Sequence, residues 1–173
     1  MMLKYIPNIL TTFRIILVPV YLAVFFFSAH NNMFYALLIF LLAGFTDVAD
    51  GIIARKYGFI TKFGTLVDPL ADKLMLIAVL FSLTIKKLIP LPVLSIVIIK
   101  ETIMIIGAAF LYNKNKIAIS ADKFGKIATV VFYIAVIAVV IKLPYAAYIM
   151  ALAIFMTILA LINYAIKFKM IIK

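Results

Sequence analysis

Asp47–Asp72 reads DVADGIIARKYGFITKFGTLVDPLAD, and it lies where two long apolar runs meet. The chain has six acidic residues in all, and four of them, Asp47, Asp50, Asp68 and Asp72, fall in this stretch. Carboxylates set into apolar segments are costly and are kept where they serve a site. Asp47 and Asp50 are three residues apart, a spacing that puts both on one face of a helix; Asp68 and Asp72, four apart, share a face in the same way. The short basic loop between the two runs makes them antiparallel neighbours in this reading, so the four acids converge.

Working outward, the 173 residues are 68% hydrophobic with a mean hydropathy of +1.28, a balance unsuited to a domain with a polar exterior. The apolar runs approach the roughly 20 residues that cross about 30 Å of hydrocarbon. Six spans are expected, at about Ile15 to Phe27, Phe34 to Arg55, Thr65 to Ile85, Leu91 to Tyr112, Ile127 to Ile141 and Tyr145 to Phe168. An amphipathic stretch from Tyr5 to Arg14 precedes the first. The breaks fall at Asn31-Asn32, Lys86-Lys87 and Asn113 to Lys116. The fold class is therefore an all-α integral membrane protein, one membrane domain over residues 1–173. The first segment is followed by Ser28-Ala29-His30, a poor cleavage site, and is expected to be retained.

A net charge of +11 would suggest nucleic acid in a soluble chain. Here the basic residues lie between apolar segments, which points to anionic lipid headgroups instead. With both termini on one side, fourteen of the 17 basic residues fall on that side and Lys86, Lys87 and Lys142 on the other. The positive-inside rule then makes both termini cytoplasmic and places the four aspartates at the cytoplasmic face of the cell membrane. There is no cysteine, hence no disulfide framework or thiol chemistry. The lysine-, isoleucine- and asparagine-heavy usage fits an AT-rich bacterial genome.

Four converging carboxylates repel one another strongly unless a cation joins them. Mg²⁺ or Mn²⁺ takes oxygen ligands and shares them with substrate phosphates, and two ions fit both the charge count and an in-line phosphoryl displacement. Gly51 follows Asp50 directly; a helical glycine costs about 1 kcal/mol relative to alanine and is explained by close approach of a ligand or of another helix. Gly64 admits the same two readings. Arg55, about one turn past Gly51, is by itself an ordinary snorkelling arginine, and in this company it is placed to hold a diphosphate through two parallel hydrogen bonds. Ala54 leaves room beside it for the same ligand or for helix packing.

Asp47, Asp50, Gly51, Ala54, Arg55, Gly64, Asp68 and Asp72 match, position by position, the signature of the CDP-alcohol phosphatidyltransferases, and the number of spans resembles that family too. The resemblance implies a membrane transferase in which a CDP-linked lipid such as CDP-diacylglycerol gives its phosphatidyl group to an alcohol and CMP leaves. It implies that Asp47, Asp50 and Asp68 bind metal, that Asp72 is the general base and a further member of the metal set, that Gly51, Ala54, Arg55 and Gly64 line the donor site, and that the protein is a homodimer. Within the family the likeness is greatest to members that accept glycerol 3-phosphate. It is carried by Ile6-Pro7-Asn8-Ile9-Leu10-Thr11-Thr12-Phe13-Arg14, Asp68-Pro69-Leu70-Ala71-Asp72-Lys73-Leu74, Lys100-Glu101 and Gly125-Lys126-Ile127-Ala128-Thr129. A phosphorylated acceptor needs cations, and Lys100, Lys123 and Lys126 are the candidates.

Two positions depart from those members. Lys100 stands where they usually carry arginine, and Ala121-Asp122-Lys123-Phe124 lacks their tryptophan. Members that use phosphatidylglycerol as acceptor remain the alternative. Glu101 either pairs with a neighbouring base or orders the lysines. A cation transporter is the competing class; its mark would be carboxylates at mid-membrane on broken helices.

Overall fold

A computed structural model describes residues 6–27, 32–57, 62–115 and 123–172, with the side chains of 6–8, 54–57, 62–69, 108–109, 111–115, 123 and 172 outside that description. The described residues form helices and no strand: α1 (Ile6–Phe27), α2 (Asn32–Tyr57), α3 (Lys62–Ile85), α4 (Leu91–Asn115), α5 (Lys123–Val140) and α6 (Ala146–Ile172). The expected elements are all present, most of them longer by a turn or less than their apolar cores. The stretch before the first span is not a separate element. From Ile6 onward it is continuous with α1, and Tyr5 lies outside the described residues.

Among the described residues, three helices are long and apolar enough to cross a membrane by length and composition: Ile9–Phe27, Asn32–Ile53 and Ala146–Ile171, with a shorter apolar stretch at Phe124–Val140. Their outer faces are apolar, unlike those of a water-soluble helix. On α1 the buried stripe is Thr11, Arg14, Leu17, Tyr21 and Phe25, while Ile9, Phe13 and Ile16 are exposed. On α2 the buried stripe is Ala36, Phe40, Ala43, Thr46 and Asp50, while Phe34, Leu38, Phe45 and Ile52 face outward. Buried polar residues such as Thr11, Arg14, Thr46 and Asp50 share the inner stripes with large and small apolar ones, while the outer faces are apolar, as suits helices whose solvent is hydrocarbon and whose interhelical contacts include polar ones.

The chain forms two compact units, Met1–Lys86 and Lys87–Lys173. In the first, α1 packs against both α2 and α3, and α2 meets α3 over a smaller area. The two aspartate-bearing helices are thus joined largely through α1, which the loop argument did not foresee. Asn32 fixes the α1–α2 connection: its Nδ2 donates to the Phe25 carbonyl at 3.0 Å, and its Oδ1 accepts from Met33 N at 2.8 Å. These bonds satisfy groups that helix ends leave open.

In the second unit α6 packs against α5 and α4. Its buried stripe of Met150, Ala153, Thr157, Ala160 and Tyr164 keeps helical spacing throughout. At Gly107 of α4, a Cβ would come within 2.6 Å of the Tyr164 hydroxyl, which donates to the Met104 carbonyl at 3.2 Å. The glycine therefore admits a tyrosine of α6 to the backbone of α4. Helix α5 closes with Leu143 N donating to the Ala138 carbonyl at 2.9 Å and Lys142 in the left-handed region at φ 58. This is a Schellman end with lysine where glycine is the usual residue.

Candidate active site

Asp47 and Asp50 lie in the second half of α2, on consecutive positions of its inward face. Asp50 is buried and Asp47 is partly open, its side chain 40% exposed. Both meet the same group. The guanidinium of Arg14, on α1, is 1% exposed, and its NH1 stands 2.7 Å from Asp47 Oδ1 while its NH2 donates to Asp50 Oδ2. Arg14 Nε is buried with no hydrogen-bond partner among the described residues, and the Nη1 contact with Asp47 is an ion pair without a hydrogen bond. One planar cation is thus forked across two carboxylates from successive positions on a neighbouring helix, geometry that a guanidinium supports and an ammonium does not.

The local sequence explains the arrangement. Thr11 and Arg14 occupy adjacent positions of the stripe that α1 turns inward, and Thr11 is fully buried. On α2, Thr46 binds its own helix, donating to the Ala43 carbonyl at 2.7 Å. A charge buried this far is tolerated only when paired.

The remaining predicted residues divide by element. Gly51 follows Asp50 on α2 and is half-buried; Ala54 and Arg55 continue that helix, with side chains outside the described residues. Gly64 and Asp68 lie on α3, likewise without described side chains, and Asp72 follows Asp68 by one turn, half-buried. Among the described residues no group of three or more His, Cys, Asp or Glu side chains is gathered at metal-binding distance. What the described side chains do bring together is the Asp47–Asp50 pair, converging on a single positive centre. Carboxylate oxygens are the donor type that a hard divalent ion such as Mg²⁺ takes, so these two residues suit such an ion by their chemistry.

The lysines behave differently. Lys100 and Glu101, both on α4, form an ion pair with Nζ 2.5 Å from Oε1, and their side chains are 12% and 7% exposed. Of the two readings of Glu101, pairing with a neighbouring base is the contact observed. Lys126 projects from α5 and is exposed. Beside it a Cβ on Gly125 would meet nothing within 4 Å, and the Gly125 carbonyl accepts from Thr129 Oγ1 at 3.1 Å. Lys123 is the first residue of α5, its side chain outside the described residues.

Arg14, which the sequence marks only as the end of the Ile6–Arg14 stretch, is the functional residue that the spacing of the aspartates does not reveal. The available signal was its register: three residues after Thr11, on the only polar stripe of an otherwise apolar helix.

A family model described as CDP-alcohol phosphatidyltransferase matches residues 4–159. Relatives named CDP-diacylglycerol–glycerol-3-phosphate 3-phosphatidyltransferase are similar in sequence. The one from Blochmanniella floridana is 34% identical over 141 residues, 80% of this chain and 74% of that protein. The one from Rickettsia felis is 32% identical over 126 residues, 73% of this chain and 69% of the relative. The one from Haemophilus influenzae is 45% identical over 75 residues, but that match spans only 43% of this chain and 40% of the relative's length.

Proposed function

Because the chain belongs to the CDP-alcohol phosphatidyltransferase family, we propose that it transfers the phosphatidyl group of CDP-diacylglycerol to the hydroxyl of glycerol 3-phosphate, releasing CMP. The acceptor rests on the names of the relatives, two of which are matched over more than two thirds of their length. The observation that carries the site is the convergence of Asp47 and Asp50 on one buried cationic centre within the family's signature.

In this reading all six helices span the bilayer, with both termini and the aspartates at the cytoplasmic side, as the distribution of lysine and arginine favours. Asp47, Asp50, Asp68 and Asp72 hold two Mg²⁺ or Mn²⁺ ions. Bound there, the cations supply charge stabilisation to the diphosphate oxygens. Arg55 grips the same diphosphate, while Gly51, Ala54 and Gly64 leave room for the donor. Asp72 takes the proton of the acceptor hydroxyl. The hydroxyl oxygen bonds to the phosphatidyl phosphorus as that phosphorus–oxygen bond to CMP breaks, and CMP leaves with the electron pair. Lys126 and Lys123, with Lys100 if it exchanges Glu101 for the ligand, hold the phosphate of the acceptor.

The transporter reading is disfavoured by α2 itself. It runs unbroken through Asp47 and Asp50, whereas intramembrane ion sites of transporters are built on interrupted helices. The test is CMP release by purified protein with CDP-diacylglycerol and Mg²⁺, comparing glycerol 3-phosphate, phosphatidylglycerol, inositol phosphate and serine. Release with glycerol 3-phosphate alone is expected. Release with phosphatidylglycerol alone would assign the other acceptor class, and no release from folded protein would sink the transferase reading.

A further inference from the structure

Arg14 does more here than balance charge. It is nearly inaccessible to solvent, it comes from a different helix than the acids it meets, and it takes one oxygen from each of two carboxylates read as cation ligands. A cation drawn to Asp47 and Asp50 has to approach oxygens already engaged by a positive group in a medium that screens charge poorly. We propose that Arg14, forked between Asp47 and Asp50, is a built-in competitor for the divalent cation: it neutralises the empty centre and holds down its affinity for metal. The inference rests on the reading of the two aspartates as metal ligands.

This arrangement has a functional consequence. With Arg14 in place, a metal ion gains less from the carboxylates alone, and loading is favoured when a diphosphate brings negative charge to offset the crowded cations. Arg14 Nε, buried without a partner, is a donor suited to such an anionic oxygen. Metal and donor binding are thereby coupled, and the coupling is reciprocal. Arg14 is in this sense a positioning residue, acting on the reaction through the occupancy of the aspartates.

The experiment is direct binding of Mn²⁺, read from the free-ion signal in electron paramagnetic resonance, to the full-length chain in detergent, with and without CDP as the diphosphate probe. The native protein should bind Mn²⁺ weakly alone and more tightly with CDP. Arg14→Gln should bind Mn²⁺ alone about tenfold more tightly or better, depend less on CDP, and show a lower melting temperature without metal but a larger rise on adding it. Folded Arg14→Gln that binds Mn²⁺ as the native chain does, or more weakly, overturns the proposal while leaving the metal reading standing. Native protein that binds no Mn²⁺ with or without CDP overturns both. Should Arg14→Gln not fold without metal, Arg14→Lys replaces it. An ammonium reaches one carboxylate and leaves the other open, so a tightening of a few-fold is expected, and unchanged or weaker binding overturns the proposal.

Discussion

At the scale of single residues, the Arg14–Asp47–Asp50 triad sets the terms. Desolvating an ion pair cancels much of its attraction, so the triad is not in itself a source of stability, but removing one partner leaves the other charge buried alone. Asp50→Asn leaves Arg14 still paired with Asp47, so it should cost less than the roughly 3–5 kcal/mol of breaking an isolated buried pair, and it should weaken the response of activity to Mg²⁺. A normal Mg²⁺ response with a lowered melting temperature would reduce Asp50 to a structural partner of Arg14. Asp72→Asn is expected to abolish CMP release while leaving CDP-diacylglycerol binding largely intact, since an amide cannot accept the acceptor's proton; equal loss of both would make Asp72 chiefly a ligand. For Lys126, exposed beside the open flank of Gly125, substitution by alanine should raise the apparent KM for glycerol 3-phosphate more than that for the lipid donor. The reverse pattern would move Lys126 to the donor site. The aspartates were legible because their spacing is local. Arg14 was not, because its partner Asp50 stands 36 residues further along the chain and no periodicity connects them.

At the scale of elements, the helices followed from apolar run length, and their ends from polar pairs such as Lys86-Lys87. Which helices adjoin is a different matter. A short loop argues for contact between α2 and α3, but the packing of unit 1 runs mainly through α1, because its inward stripe carries the polar groups that need partners. Two element-scale features lend themselves to measurement. Lys142 ends α5 in the left-handed region, where a Cβ is strained, so Lys142→Gly should stabilise the protein by up to about 1 kcal/mol; a lower melting temperature would show that its side chain contributes more than its backbone costs. At the α4–α6 contact, Gly107→Ala gains about 1 kcal/mol of helix propensity but pushes the Tyr164 hydroxyl from the Met104 carbonyl, a loss of similar size. The single change should accordingly be close to neutral or mildly destabilising. Combined with Tyr164→Phe, which removes the oxygen 2.6 Å from the new methyl, it should be better tolerated than in the native background. A double-mutant cycle with no coupling would show that this approach is not what Gly107 serves.

For the whole molecule, hydropathy shows that the chain belongs in a membrane, but only the asymmetry of its charges says which way it faces. That orientation decides whether the aspartates meet nucleotide-linked donors on the cytoplasmic side. Because the chain contains no cysteine, single introduced cysteines can read it in intact cells with a thiol reagent that does not cross the bilayer. Lys86 and Tyr145 are exposed in the α3–α4 and α5–α6 connections, and Lys169 is exposed in the last turn of α6. With six spans and both termini inside, Lys86→Cys and Tyr145→Cys should label in intact cells, and Lys169→Cys only after permeabilisation. Labelling of Lys169→Cys alone would invert the protein and put the site on the outer face, against fourteen cations that favour the inner one. Mixed labelling of Lys86→Cys and Tyr145→Cys would mean that α4 and α5 do not bring the chain across and back. The least apolar parts of the spans, α3 with its aspartates and α4 with Lys100 and Glu101, would then be the cause, since charges at those depths are the ones that cost most unless their partners enter the bilayer with them.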